Sequence, residues 1–165
     1  MGDNRGFSLR IGIGYDSHRL AEGRRLIIGG VYIEFPKGLL GHSDGDVLCH
    51  SIMDSLIGAL GLGDIGRYFP DTDPQWKDAS SIGMLRCVVD LSIRQGFEVV
   101  WIDSTVVAER PRLALHIDSM KDTISGTGIP TECINIKAKT DEGMGFTGRG
   151  EGIAAYAACL LRRIE

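Results

Sequence analysis

The sequence predicts an α/β domain in which one sheet is covered by helices on one face. Three observations predict it. Stretches rich in β-branched and aromatic residues alternate with stretches of helical periodicity, no linker composition divides the chain, and no internal repeat appears. The 165 residues suffice for one domain with a real core, so residues 1–165 are read as a single unit. With 43% apolar and 24% charged residues, the chain belongs with folded globular proteins. One face of such a sheet is available to a partner subunit.

Residues 9–15 (LRIGIGY) read as a strand entering a loop, and residues 26–33 (LIIGGVYI) as two short strands around Gly29-Gly30. Residues 43–60 read as a helix. Ser43 and Asp46 resemble a capping box, Leu48, Ile52, Leu56 and Leu60 form an apolar face, and Gly61 and Gly63 end it. Residues 67–77, with two prolines, read as an irregular loop. Residues 80–95 form a second predicted helix, 97–107 a strand, and 113–125 a third helix closed by Gly126-Thr127-Gly128. The alternating residues 134–139 (INIKAK) read as a strand. Residues 151–163 read as a last helix, with basic residues at its C-terminal end where the dipole favours them.

The composition excludes several function classes. Net charge is −4 and no basic stripe is visible, which argues against nucleic-acid binding. An anionic ligand would need local positive charge from metal ions, helix N-termini or single basic residues. Cys49, Cys87, Cys133 and Cys159 form no C-x-x-C pair and read as small buried hydrophobes in a reducing compartment. No apolar run is long enough to span a membrane, and no basic-then-apolar leader opens the chain, so the cytoplasm is expected.

Four stretches carry chemistry. Asp16-Ser17-His18 places a carboxylate and an imidazole two residues apart, on one side of an extended segment, where they can share a metal. Asp46, His50 and Asp54 stand at i, i+4 and i+8 of the first predicted helix. His50 can supply a third ligand, and the two carboxylates can orient its ring. Two His and one Asp with an open position suit catalytic Zn²⁺; the plainer alternative is a solvated helix face. Gly41-His42-Ser43-Asp44-Gly45-Asp46 lies at a helix N-terminus, where backbone N–H groups attract anions, or where Ser43 simply caps. Residues 137–152 (KAKTDEGMGFTGRGEG) form a glycine-rich turn after a strand that lets backbone approach phosphate, although no P-loop pattern is present.

RIGIGYDSHRL, LIIGGV, KGLLGHSDGDVLCH, LGDIGRYFPDTDP and GMGFTGRGEGIA together span nearly the whole chain. In order and in content they resemble the 2-C-methyl-D-erythritol 2,4-cyclodiphosphate synthases of the non-mevalonate isoprenoid route. The resemblance implies zinc on Asp16, His18 and His50, and a second divalent ion, Mg²⁺ or Mn²⁺, on Glu142. It implies phosphate contacts from His42, Ser43 and Thr140, and methylerythritol contacts from Asp64 and Gly66, with His42, Asp64 and Thr140 as the catalytic set. It places a cytidine pocket at Ala108, Arg112, Leu113, Ala138 and Lys139. Arg112 stands where the family commonly has Lys and offers a planar fork instead of a point charge. Lys139 stands where a small hydroxyl residue is familiar.

The same resemblance implies a homotrimer whose sheets face a common axis. Active sites would lie between neighbours, and Phe146 and Arg149 with Glu151 would line an axial cavity able to hold an isoprenoid diphosphate. The implied substrate is 4-diphosphocytidyl-2-C-methyl-D-erythritol 2-phosphate. Its 2-phosphate attacks the β-phosphorus and CMP leaves. The competing reading is a metal-dependent phosphohydrolase of a nucleotide diphosphate, which would use the same ligands to activate water.

Overall fold

The computed structural model describes residues 8–165, so the expectation of no leader at the start of the chain lies outside the described residues. In chain order the strands are β1 (Leu9–Glu22), β2 (Leu26–Ile28), β3 (Val31–Ile33), β4 (Lys37–Leu39), β5 (Phe97–Val107), β6 (Ile134–Lys139) and β7 (Gly152–Arg163). The helices are α1 (Val47–Leu60), α2 (Ile65–Tyr68), α3 (Ser81–Arg94), α4 (Ile117–Ser125) and α5 (Gly145–Gly148). Five strands form one mixed sheet in the order β4-β1-β7-β5-β6, in which only β5 and β6 run parallel; β2 and β3 make a separate hairpin. Helices α1, α3 and α4 pack against the sheet through β1, β5, β6 and β7.

The two faces of β1 differ because alternate side chains point to opposite sides. Gly12, Gly14, Asp16 and Leu20 turn toward the helices, whereas Ile11 and Ile13 are 75% and 80% exposed on the other side. Tyr15, Tyr156 and Trp101 are also exposed. Glycine at positions 12 and 14 is a packing requirement. A Cβ on Gly12 would stand 1.9 Å from the Ser55 carbonyl oxygen, and one on Gly14 would stand 2.0 Å from that of Ser51. Helix α1 therefore lies directly on the backbone of β1. Its sheet-facing Ser51 and Ser55 are fully buried, and each hydroxyl is satisfied within the helix by donating to Leu48 O or Ile52 O.

Residues 151–163 are a strand and not the expected helix. Alanine and leucine favour helix intrinsically, but tertiary context overrides such propensities. β7 pairs with β1 on one side and β5 on the other, and its small Ala155, Ala157 and Cys159 leave room for α1. The basic residues expected at a helix C-terminus make side-chain contacts instead. Arg162 bonds Glu98 at 2.7 Å, and the Arg163 guanidinium lies over the Phe97 ring.

Other boundaries also move. β1 runs on to Glu22, so Asp16 and His18 sit in a strand and not in a loop. The first helix begins at Val47, with Asp46 as its N-cap; the expected Ser43 capping box does not form. The third helix begins at Ile117, after a 3₁₀ turn at Ala114–His116. β4, α2 and a 3₁₀ turn at Pro74–Trp76 inside the expected loop were not anticipated. Cys49 and Cys159 are buried as expected, but Cys87 is exposed on α3; all four thiols are free. Among the described residues no helix is long and apolar enough to cross a membrane.

Gly14→Ala should lower stability by about 1–3 kcal/mol or more, as overpacking does. Gly83→Ala, on the exposed side of α3 with nothing within 4 Å of the added methyl, should raise it by about 0.5–1 kcal/mol. Denaturant titration of both variants checks this, and a Gly14→Ala protein as stable as the parent would mean that α1 does not need its close seat on β1.

Candidate metal centre and nucleotide cleft

Asp16 and His18 are two positions apart on β1 and project toward the helix side. His50 descends from the first turn of α1, which its glycine seat holds against the same strand. The His50 Nδ1 lies 2.9 Å from Asp16 Oδ2 and 3.2 Å from His18 Nε2, and His18 Nε2 lies 3.0 Å from the same Asp16 oxygen. These three atoms form a triangle of nearly equal sides. Bonds of about 2.0–2.1 Å to a tetrahedral ion put ligand atoms roughly 3.3 Å apart, so the triangle fits a divalent cation after slight expansion. Two imidazoles and one carboxylate suit such an ion chemically.

Without a cation the cluster holds its charge internally. Burial alone would raise the Asp16 carboxyl, but hydrogen bonds and charge from His18 and His50 outweigh it and hold it well below the usual carboxylate range. Burial would lower His50, yet its bond to Asp16 and the surrounding carboxylates raise it.

The carboxylates expected to orient His50 do other work. Asp46 is fully buried and accepts four backbone N–H groups: Leu48 and Cys49 of α1, each at 3.1 Å, and Gly29 and Gly30 of the hairpin turn at 2.9 and 2.6 Å. Asp54 accepts the Ile65 N–H at 2.7 Å and so fixes the start of α2. The far nitrogen of His50, Nε2, instead lies 2.9 Å from Ser81 Oγ and 3.1 Å from Ser43 Oγ. Ser81 in turn meets Asp44 through both its N–H and its hydroxyl. Neither Ser81 nor Asp44 was identified from sequence; Ser81 stands 31 positions from His50, and no spacing rule joins them.

The remaining expected residues fall into separate places. The His42 ring nitrogen Nε2 lies 3.3 Å from the Asp73 carbonyl oxygen, tying His42 to the segment that holds both prolines. Arg24 steadies this loop from behind, donating to Ser43 O at 2.8 Å and to Gly41 O at 3.3 Å. Asp64 caps α2, accepting the Arg67 N–H at 3.2 Å, and Gly66 lies within that helix. Ala108, Arg112, Leu113, Ala138, Lys139, Thr140 and Glu142 line one cleft of about 410 Å³, so the expected cytidine and second-metal residues come together. Thr140 Oγ1 donates to Glu142 Oε1 at 3.2 Å, and Glu142 adopts a left-handed backbone with φ of 53°. Phe146 lines a smaller hollow with Ser17, His18, Arg19 and Glu151, while Arg149 is paired to Glu151 at 2.8 Å.

Strand register relates the two centres. Ser17 pairs with Ala154, Ala154 with Val107, and Val107 with Lys139. The Asp16–His18–His50 cluster and the cleft thus share one end of the sheet, three strand spacings or about 14 Å apart.

The chain is similar to known proteins along most of its length. The 2-C-methyl-D-erythritol 2,4-cyclodiphosphate synthase of Clostridium perfringens is 54% identical over 154 residues, covering 93% of this chain and 99% of the relative. The synthase of Neisseria gonorrhoeae is 54% identical over 158 residues, covering 95% and 99%. Among solved structures, the bifunctional IspDF from Campylobacter jejuni superposes with a TM-score of 0.92 at 41% identity. That match takes in 97% of this chain, which spans only 44% of the bifunctional one. A 2C-methyl-D-erythritol-2,4-cyclodiphosphate synthase in its CDP-bound form superposes with a TM-score of 0.84 at 40% identity, covering 92% of this chain and 99% of that one. The model of the YgbB family matches residues 9–162, and the chain belongs to that family.

Proposed function

We propose that the protein converts 4-diphosphocytidyl-2-C-methyl-D-erythritol 2-phosphate to 2-C-methyl-D-erythritol 2,4-cyclodiphosphate and CMP in the non-mevalonate isoprenoid pathway. It is then a cyclising phosphorus–oxygen lyase. The observation that carries this reading is the pairing of an Asp16–His18–His50 triad with a separate cleft around Glu142, in a chain 54% identical to synthases of that name over 99% of their length.

Asp16, His18 and His50 are assigned to Zn²⁺, and Glu142 to a second divalent ion, Mg²⁺ or Mn²⁺. When bound, the two ions withdraw charge from the diphosphate oxygens, which eases the approach of one anion to another. The protein's own part is to fold the substrate back on itself. Asp64 and the Gly66 backbone hold the methylerythritol hydroxyls, with Asp54 anchoring their helix at Ile65. His42 and Ser43 donate to the phosphates from the loop that Arg24 steadies, and the Thr140 hydroxyl, which turns to Glu142 here, donates from the cleft once a cation takes that carboxylate. Ala108, Arg112, Leu113, Ala138 and Lys139 seat the cytidine half. Holding the 2-phosphate in line with the leaving CMP could supply several kcal/mol, up to roughly 7–11 in the best intramolecular cases. No protein nucleophile is required.

The assembly belongs to the same reading: one domain per chain, three chains around an axis, in the cytoplasm. The apolar outer face of the sheet, with Ile11 and Ile13 largely exposed, supports burial against neighbouring sheets. The separation of the triad from the cleft on one chain supports active sites completed by the next subunit. Phe146 and Arg149 would then face the axis. Arg149 is already balanced by Glu151, so the pair suits locking the trimer as well as holding an isoprenoid diphosphate.

His50→Ala should stay folded yet lose bound zinc. Its turnover should fall by more than the roughly 10–100-fold that loss of an outer hydrogen-bond partner costs. Metal analysis with circular dichroism checks this, and full zinc occupancy with normal turnover would refute the assignment. Mixing inactive His50→Ala with inactive Glu142→Ala should restore part of the activity once subunits exchange. No rescue after exchange verified by mass spectrometry would count against shared sites.

Cyclisation is separated from hydrolysis by the attacking oxygen. In water enriched with oxygen-18 the product should be the cyclic diphosphate, free of solvent label. A substrate analogue lacking the 2-phosphate should release CMP far more slowly. Comparable turnover of that analogue with label incorporated would replace the cyclase assignment with a phosphohydrolase.

A further inference from the structure

We infer that Asp44 and Ser81 are positioning residues that fix the tautomer of His50: a directed proton chain holds a hydrogen on Nε2, so that Nδ1, beside Asp16 and His18, is the nitrogen that yields its hydrogen to a cation. The inference rests on the metal reading of that triad and goes beyond the ligands themselves.

The direction of the chain follows from counting protons. An ionised carboxylate can only accept, and a serine hydroxyl has one hydrogen to give. Asp44 accepts the Ser81 backbone N–H at 2.9 Å through one oxygen and the Ser81 hydroxyl through the other. The single hydroxyl hydrogen of Ser81 is thereby committed to Asp44. Ser81 Oγ, 2.9 Å from His50 Nε2, can then only accept, so Nε2 must carry the proton. The order is Nε2–H to Ser81 Oγ, and Oγ–H to Asp44. When a cation takes the place of the hydrogen that Asp16 otherwise accepts from Nδ1, a ring still protonated on Nε2 presents its lone pair at Nδ1, the atom 2.9 Å from Asp16 Oδ2 and 3.2 Å from His18 Nε2. The opposite tautomer would put a hydrogen into the middle of the triad and exclude a cation.

Burial makes the chain effective. Ser81 is fully buried and His50 nearly so, which leaves water little access to compete for either hydrogen bond. Asp44 is itself held in register, since its Oδ1 accepts the Asp46 N–H at 3.2 Å and its own N–H donates to Ala79 O at 3.1 Å. The chain therefore ties α3, which Ser81 opens, to the loop before α1.

One consequence reaches the ligand side. Ser43 Oγ accepts the Gly45 N–H at 3.3 Å and lies 3.1 Å from His50 Nε2. With the hydrogen on Nε2, Ser43 can only accept from the ring as well. Its own hydroxyl hydrogen is not used by the chain and is available to a phosphate oxygen.

The test uses the full chain carrying ¹⁵N-labelled histidine, loaded with zinc and assigned by comparison with His50→Ala. The expected spectrum of the parent shows His50 Nε2 protonated and Nδ1 metal-bound. Ser81→Ala should shift that Nε2–H signal, speed its exchange with solvent, and weaken zinc binding about 10–100-fold in competition with a chelator. Asp44→Asn, which keeps the size of the side chain, should weaken zinc by a similar factor. The double variant should lose little more than either single one, because the two act as one chain.

Zinc bound through Nε2 of His50, or parental zinc affinity and an unchanged Nε2–H signal in folded Ser81→Ala, would overturn the inference and leave the metal centre standing. Fully additive losses in the double variant would likewise show two independent contacts. A parent protein that binds no zinc at all would overturn the metal reading itself, and this inference with it.

Discussion

The seat of α1 on the bare backbone of β1 is the constraint on which the rest of this structure depends. Two glycines, Gly12 and Gly14, remove the side chains that would otherwise keep helix and strand apart, and a methyl at either site would meet a helix carbonyl near 2 Å. Helix and sheet ordinarily stand off by the depth of two interdigitating side-chain layers. Here Ser51 and Ser55 on the helix, with Ala155 and Ala157 on the neighbouring strand, keep the layer thin. The first turn of α1 is thereby brought close enough for an imidazole to reach a carboxylate on β1. The clustering of Asp16, His18 and His50 is the local result of that packing choice.

A second set of contacts makes the seat unique. Asp46 is buried without a positive partner, an arrangement tolerated only because four backbone N–H groups point at it. Burial and the nearby Asp44 push its carboxyl up, and the N–H groups pull in the other direction. Two of those groups belong to α1 and two to the β2–β3 turn, so one side chain fixes where the helix starts and where the hairpin docks. Gly29 and Gly30, both at positive φ, supply the turn that presents their N–H groups. Asp54 repeats the device about one turn beyond His50, binding the backbone of Ile65.

These roles explain what could and could not be read from sequence. β5 and β6 were legible to the residue because alternation and β-branching coincide with burial on one face. β7 was not, because its alanines answer to the helix lying above them, a requirement invisible to local propensity. The Asp16–His18 pair was legible because residues i and i+2 of an extended segment share a side. Asp46 and Asp54 were assigned to the imidazole because helical spacing puts them on its face; spacing cannot say that backbone N–H groups of a distant turn would claim them first. Ser81 and Asp44 carry no local signal at all, since their role exists only once α3 docks beside the loop before α1. The cleft residues were legible only through resemblance, and the structure gathers them in one place because the parallel pair β5–β6 ends there.

The charge distribution is consistent with this division. A chain of net charge −4 is a poor attractor for a polyanion at long range. Its carboxylates are not scattered over the site, however. Asp44, Asp46 and Asp54 are compensated by backbone and hydroxyl hydrogens directed at them, whereas Asp16 belongs to a cluster that could hold a metal ion and Glu142 lines the cleft. Positive side chains stand in the cleft beside Glu142, as Arg112 and Lys139, and behind the His42–Ser43 loop, as Arg24. The protein can therefore remain acidic overall and still present positive side chains at two places. Three strand spacings separate the cleft from the Asp16–His18–His50 cluster, so the sheet sets the distance between them while the seat of α1 on β1 sets the cluster itself.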